Sequence, residues 1–207
     1  MAIDRINKHA FSDTINENST VVALGATDFI REFIYKYPCR LFVVECNPDK
    51  VTELEALNLD APVLKAAIST RTGEAPLYIN TSTSSLYKNL AEINGFMEDT
   101  PTYVTPRHII TETITLQEVL RRYSLEKIDL IVIDIRGSEW DLFNSFTKDA
   151  ADKIKEISVI FHDYLDSTYR KQSEESIEKL KSLGYTTDLT GTTKGFGSPY
   201  FHCRFSM

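Results

Sequence analysis

The chain has 207 residues, 42% of them hydrophobic and 26% charged, with a formal net charge of −7 at neutral pH. That is enough apolar material for one compact domain with a sizeable core. The negative balance argues against a general grip on nucleic-acid phosphates, which needs clustered lysine and arginine; Arg121-Arg122 and Arg170-Lys171 are isolated pairs that read as solvated helix faces.

Met1 to Asn18 holds Asp4, Asp13 and Glu17 and no continuous apolar stretch. It reads neither as a secretory leader nor as a membrane helix, and is expected to be a lead-in that covers the sheet or the pocket. Thr20 to Gly25, TVVALG, is a buried-strand pattern ended by glycine, and DFIREFIYKY after it has helical spacing through Phe29, Phe33 and Tyr37. The next apolar run, Arg40 to Val44, ends on Glu45. Its distance from Gly25 is that of an acidic residue reaching the hydroxyl pair of a nucleoside ribose. Cys46-Asn47-Pro48-Asp49 turns into a helix over Pro48 to Leu57, and Pro62 to Ile68 reads as a third buried strand, with an adenine edge near Ala67 and Ile68.

Gly73 to Asn80 alternates as a strand. Thr81 to Arg107 has no clear period and is either a binding loop or disordered; its Tyr87, Phe96, Met97 and Tyr103 either stack on a substrate ring or pack the loop against the core. Thr115 to Tyr123 begins as a capping box with Glu118 and continues as a helix. Ile128 to Ile133 is an almost unbroken apolar run that stops on Asp134, the pattern of a central parallel strand whose carboxyl end faces ligand in open α/β sheets. A helix through Asp141 to Phe146, a strand over Ile157 to Phe161 ending at His162-Asp163, and an amphipathic helix over Ser173 to Leu183 closed by Gly184 follow. Two terminal β segments, Tyr185 to Leu189 and Tyr200 to Phe205, flank Gly191, Gly195 and Gly197. Cys39, Cys46 and Cys203 are odd in number and lack metal-type spacing, which points to reduced thiols in a cytoplasmic setting.

Taken in order, VVALGATDF, VVECNPDK, KAAIS, SSL, TLQEVL and IDLIVIDIRGSEWDLF resemble the FkbM-type methyltransferases, from about Val21 to about His162. The resemblance implies a Rossmann-like class I methyltransferase fold: a doubly wound, mostly parallel seven-stranded sheet with helices on both faces. Length, composition and patterning give one expected domain over 1–207, with a lead-in over 1–18 and an insertion or lid over 74–115. The resemblance also implies S-adenosylmethionine as donor and a carbohydrate or glycan hydroxyl as acceptor. Two departures stand out. The family's first motif is an aspartate, any residue, a glycine, three residues and a second glycine; here those places hold Ala23, Gly25 and Phe29, so the phenylalanine must point elsewhere or reshape the pocket, and Asp28 offers replacement polarity. Arg136 stands where the family usually has glutamate.

On this reading Gly25, Ala26, Thr27, Glu45, Cys46, Asn47, Ala67, Ile68 and Asp134 hold the cofactor, and Ser85, Tyr87 and Tyr103 meet the substrate. Asp134 and His162 end neighbouring strands, with His162 as general base, Asp134 on the cofactor amino group or the acceptor hydroxyl, and Glu139 in support. Each has an ordinary structural explanation as well: a strand-capping histidine, a helix N-cap, and a glutamate favoured by a helix dipole. Trp140 reads as core, and His9, His108 and His202 have no partner spacing. Asp134, Glu139, His162 and Asp163 could ligate magnesium or manganese, but with no dense carboxylate cluster a metal-free mechanism is preferred. Two other functions fit the same residues. One is a scaffold that kept the fold while its cofactor site eroded; the other is a nicotinamide-dependent oxidoreductase, for which Gly25 lacks two companion glycines. The acceptor and the oligomeric state do not follow from the sequence.

Overall fold

The computed structural model describes residues 2–59, 63–80, 83–94, 102–187, 193–195 and 198–207. A hairpin of β1 (Ile3–Ile6) and β2 (His9–Ser12) leads into β3 (Thr20–Gly25), α1 (Thr27–Lys36), β4 (Arg40–Val44), α2 (Pro48–Glu55) and β5 (Val63–Leu64). Then come β6 (Ala67–Ile68), β7 (Gly73–Ile79), β8 (Ser84–Ser85), α3 (Lys88–Glu92), β9 (Ile93–Asn94), β10 (Thr102–Tyr103) and β11 (Arg107–Ile114). The chain returns through α4 (Leu116–Arg122) to β12 (Leu130–Asp134), and continues as α5 (Ser138–Asn144), α6 (Lys148–Ala151), β13 (Glu156–Ile160) and α7 (Arg170–Ser182). It closes with β14 (Thr186–Thr187), β15 (Thr193–Gly195) and β16 (Ser198–Ser206).

The main sheet runs β14-β16-β13-β12-β3-β4-β5, with β15 also paired to β16. From β13 to β5 the strands are parallel, whereas β16 is antiparallel to β13, β14 and β15. Among the described residues the sheet therefore has eight strands instead of the expected seven, the addition being β15 folded back on β16. Every residue of β3 and β13 is buried, as strands covered on both faces must be. Winding proceeds from β3 outward to β4 and β5, then restarts at β12 on the other side of β3. The strand order thus reverses between β3 and β12, where open α/β sheets leave a crevice.

Side chains that alternate along the strands feed two separate cores. Ile131 and Ile133 join Trp140, Phe143 and Phe161 on one face; Leu130 and Val132 join Phe11, Phe29 and Phe33 on the other. The N-terminal hairpin supplies Phe11 to the second core and is fastened by a buried charge pair. Ser12 donates through its amide to Glu156 Oε1 at 2.9 Å and through its hydroxyl to Oε2 at 2.5 Å, while Arg204 Nε donates to Oε1 at 2.5 Å. Glu156 and Arg204 are 2% and 1% exposed, a burial that charged groups tolerate only when paired and hydrogen-bonded.

Two local expectations are corrected. Of the strand expected over Pro62 to Ile68, the described residues 63–68 are not one strand: β5 stays in the main sheet, while β6 pairs with β11 in a second sheet of order β6-β11-β7-β8. The Ala66 amide turns back to the Leu64 carbonyl at 3.1 Å, which breaks the ladder between them. The capping box of α4 is half made. Thr115 Oγ1 accepts from the Glu118 amide at 3.2 Å, but the Glu118 carboxylate bonds Arg121 and Arg122. The segment read as irregular carries β8, α3, β9 and β10 in its described part; Phe96, Met97, Leu189, Gly191 and Gly197 lie outside the described residues.

Candidate active site

Two turns form the rim of the crevice, and each has consecutive residues of positive φ. Gly25 (φ +66) and Ala26 (φ 57) link β3 to α1, and Arg136 (φ 42) and Gly137 (φ +104) link β12 to α5. Such backbone is uncommon outside glycine and clusters where a site demands it. Gly25 is required twice over, since a Cβ there would lie 2.2 Å from the Asp134 carbonyl oxygen across the β3–β12 pairing.

Phe29 does not enter the crevice. Its position on α1 sends the ring into the second core, 1% exposed, stacked on Phe33 at 4.7 Å and edge-on to Phe11 at 5.8 Å. Loss of the second motif glycine has thus added core and left the rim open.

Beside the rim, the end of β12, the first turn of α5 and the segment just after β13 bring together three titratable side chains. His162 Nε2 lies 3.3 Å from Asp134 Oδ1, and its Nδ1 lies 3.1 Å from Glu139 Oε1. Glu139 is held from below, its Oε1 accepting from the His162 amide at 2.8 Å and its Oε2 from the Gly137 amide at 2.7 Å. Burial alone would lower the His162 pKa. The charge of Glu139 and the hydrogen bonds to both carboxylates outweigh it and hold the imidazole up at about 9. For Asp134 burial would raise the pKa, yet the hydrogen bond and positive charge of His162 carry it below the usual carboxylate range. The group is a carboxylate, imidazolium, carboxylate chain, with Asp134 the partly exposed end.

A cleft of about 250 Å³ opens here, and its wall includes Gly25, Ala26, Thr27, Glu45, Cys46, Asn47, Ala67, Ile68, Ser85, Asp134 and His162. The Glu45 carboxylate is 7% exposed and accepts from the Cys46 and Asn47 amides, both at 2.8 Å, and from Thr27 Oγ1 at 3.3 Å. Burial raises its pKa against the pull of those donors. Asn47 caps α2, its Oδ1 accepting from the Asp49 amide at 3.0 Å, and burial pushes the Cys46 thiol up. Three expected site residues lie off the cleft wall. Glu139 is fully buried behind His162. Tyr87 packs edge-on to Trp140 and Tyr169, and Tyr103 is 71% exposed on β10. Trp140 is core as expected, stacked on Tyr169 with Nε1 donating to Ser173 Oγ at 3.0 Å.

The structure adds Ala66, Leu77, Ser84, Arg136 and Ser138 to the wall. None carries a spacing signal except Arg136, visible in the sequence only as a charge reversal. His9, on β2, is buried off the cleft wall, Nδ1 3.1 Å from Ser158 Oγ and ring edge-on to Phe29 at 5.5 Å. Burial lowers its pKa to about 4, so it is neutral. Among the described residues no group of three or more histidine, cysteine or carboxylate side chains is arranged to hold a metal ion, and no helix is long and apolar enough to cross a membrane.

The fold has known counterparts. A methyltransferase FkbM from Methylobacillus flagellatus KT superposes with a TM-score of 0.52 at 12% identity, over 93% of this chain and 44% of its own. Fibrillarin from Aeropyrum pernix, solved with natively bound S-adenosyl-L-methionine, superposes at 0.50 with 12% identity, over 93% of this chain and 67% of its own. This chain therefore spans less than half the length of the first. No curated protein matches the sequence. Residues 17–187 match the methyltransferase FkbM domain, so this chain, with its α/β switch-point cleft, belongs to the FkbM methyltransferase family.

Proposed function

We propose that the protein is an S-adenosylmethionine-dependent O-methyltransferase acting on a carbohydrate hydroxyl. The observation that carries this is the convergence of the Gly25 turn, Glu45, Ala67-Ile68 and the Asp134–His162 pair on one cleft. The residues fit the cofactor. Glu45 would hold ribose hydroxyls, the apolar wall of Ala66, Ala67, Ile68 and Leu77 would flank adenine, and the Gly25–Thr27 turn would meet the amino-acid end. When bound, the cofactor supplies a methyl group on a sulfonium leaving group.

The chain's own residues would then do two things. Asp134, the exposed end of the charge chain, accepts a hydrogen bond from the acceptor hydroxyl and fixes its direction of attack, which supplies much of the catalysis. As the new carbon–oxygen bond forms, the hydroxyl proton becomes strongly acidic, so even a weakly basic carboxylate can take it. His162 is better suited to positioning than to serving as the base: both of its ring nitrogens face carboxylates, and as an imidazolium it orients Asp134 and balances two buried negative charges. The carbohydrate class rests on the family resemblance; the hydroxyl-bearing wall at Thr83, Ser84, Ser85 and Ser138 is compatible with it.

Calorimetry with S-adenosylhomocysteine and methyl transfer from labelled S-adenosylmethionine to a panel of saccharides test the reading. Asp134→Asn should abolish transfer while retaining S-adenosylhomocysteine binding. Absence of binding at saturating ligand removes the cofactor assignment, and labelling confined to nitrogen acceptors removes the hydroxyl one.

A further inference from the structure

The turn after β12 reaches back to a helix 46 and 43 positions earlier in the chain. Arg136 donates from Nε to the Leu90 carbonyl at 3.1 Å and from Nη2 to the Ile93 carbonyl at 2.5 Å. Those carbonyls belong to the end of α3 and its C-cap, where helical carbonyls lack partners of their own and a cation complements the negative end. Ser85 closes the link from the other side. Its Oγ donates to the carbonyl of Arg136 at 2.7 Å and accepts from the Tyr87 amide at 2.9 Å. Sterics agree: a Cβ on Gly137 would lie 2.6 Å from Leu90 Cδ1 and 3.0 Å from Tyr87 Cδ2. The left-handed backbone of Arg136 itself persists only where neighbours over-determine it.

We propose that Arg136 is a positioning residue for the cleft, a clasp that seats residues 83–93 so that Thr83, Ser84, Ser85 and Leu86 form the wall beside Ala67 and Asp134. The ligand's identity rests on the methyltransferase reading above; the clasp does not. A carboxylate at this place has no N–H to donate and sets negative charge against two carbonyl oxygens, whereas lysine offers a point donor in place of a fork.

The test compares the full chain with R136K, R136Q and R136E by hydrogen exchange over residues 83–93 and by calorimetry with S-adenosylhomocysteine. In R136Q and R136E amide exchange in 83–93 should rise about tenfold or more, with β3 and β12 unchanged, and affinity should fall about tenfold. R136K should recover part of both. Wild-type exchange over 83–93 in R136Q overturns the clasp, and raised exchange with unchanged affinity overturns its positioning role. If the wild type itself binds no S-adenosylhomocysteine, the cofactor reading falls while the exchange data still decide the clasp.

Discussion

Replacing His162 by asparagine, H162N, should remove a pH-dependent part of the protein's stability. The imidazole sits 3.3 Å from Asp134 Oδ1 and 3.1 Å from Glu139 Oε1, and its pKa rises from 6.5 to about 9. The difference corresponds to about 3 kcal/mol in favour of the protonated form. Because the folded value is the higher one, this stabilisation is complete below pH 6.5, falls progressively as pH rises toward 9, and is gone above it. The lowered pKa of Asp134 expresses part of the same contact and is not a second contribution. Denaturant unfolding of wild type and H162N from pH 6 to pH 10 isolates the effect, since other titrating groups are common to both. The wild-type advantage should shrink by about 3 kcal/mol over that range, on the order of 8 °C in Tm for a domain of this size. A direct NMR titration of the imidazole should give a midpoint well above 7. A midpoint at or below 6.5, or a stability difference independent of pH, would refute the imidazolium assignment and restore His162 as a candidate base.

The other predictions concern single side chains. Phe29→Ala should cost about 3–5 kcal/mol in denaturant unfolding yet leave S-adenosylhomocysteine affinity within about twofold of wild type, because the ring faces Phe11 and Phe33 and not the cleft; a large affinity loss at preserved folding would place the ring in the site after all. Glu45→Ala should weaken S-adenosylhomocysteine binding roughly 10- to 100-fold by calorimetry, the scale of one or two hydrogen bonds to a charged group, and unchanged affinity removes the ribose assignment. Glu156→Ala leaves Arg204 buried without its carboxylate and should cost about 3–5 kcal/mol. The double replacement by methionine at both positions should lie closer to wild type in chemical denaturation, and equal losses in both variants would show that the cost comes from the lost bonds to Ser12 and not from a buried Arg204 without its carboxylate.

Much of the architecture is legible in the sequence. Apolar runs in TVVALG, RLFVV and IDLIVID locate the central strands, and Gly25, Glu45 and Asp134 at their ends fall on the rim because a strand's carboxyl end is fixed by where its run stops. The same logic brought Ala67 and Ile68 to the cleft even though the strand containing them is split between two sheets. Tyr87 and Tyr103 have no such cue, since an aromatic in a segment without periodicity carries no signal of direction; Tyr87 turns to Trp140 and Tyr103 to the surface.

From sequence alone came the positions of the main strands along the chain, the glycine turn and the acids at the strand ends, because hydrophobic periodicity and glycine's backbone freedom are local properties. Tertiary structure alone decided the rest: that Phe29 turns into the core, that His162 lies between two carboxylates and is held protonated, that Glu156 meets Arg204 and Ser12, and that Arg136 grips α3. Each of these depends on which distant groups surround a side chain, and neither the protonation state of a buried imidazole nor the partner of a guanidinium can be set by neighbours along the chain.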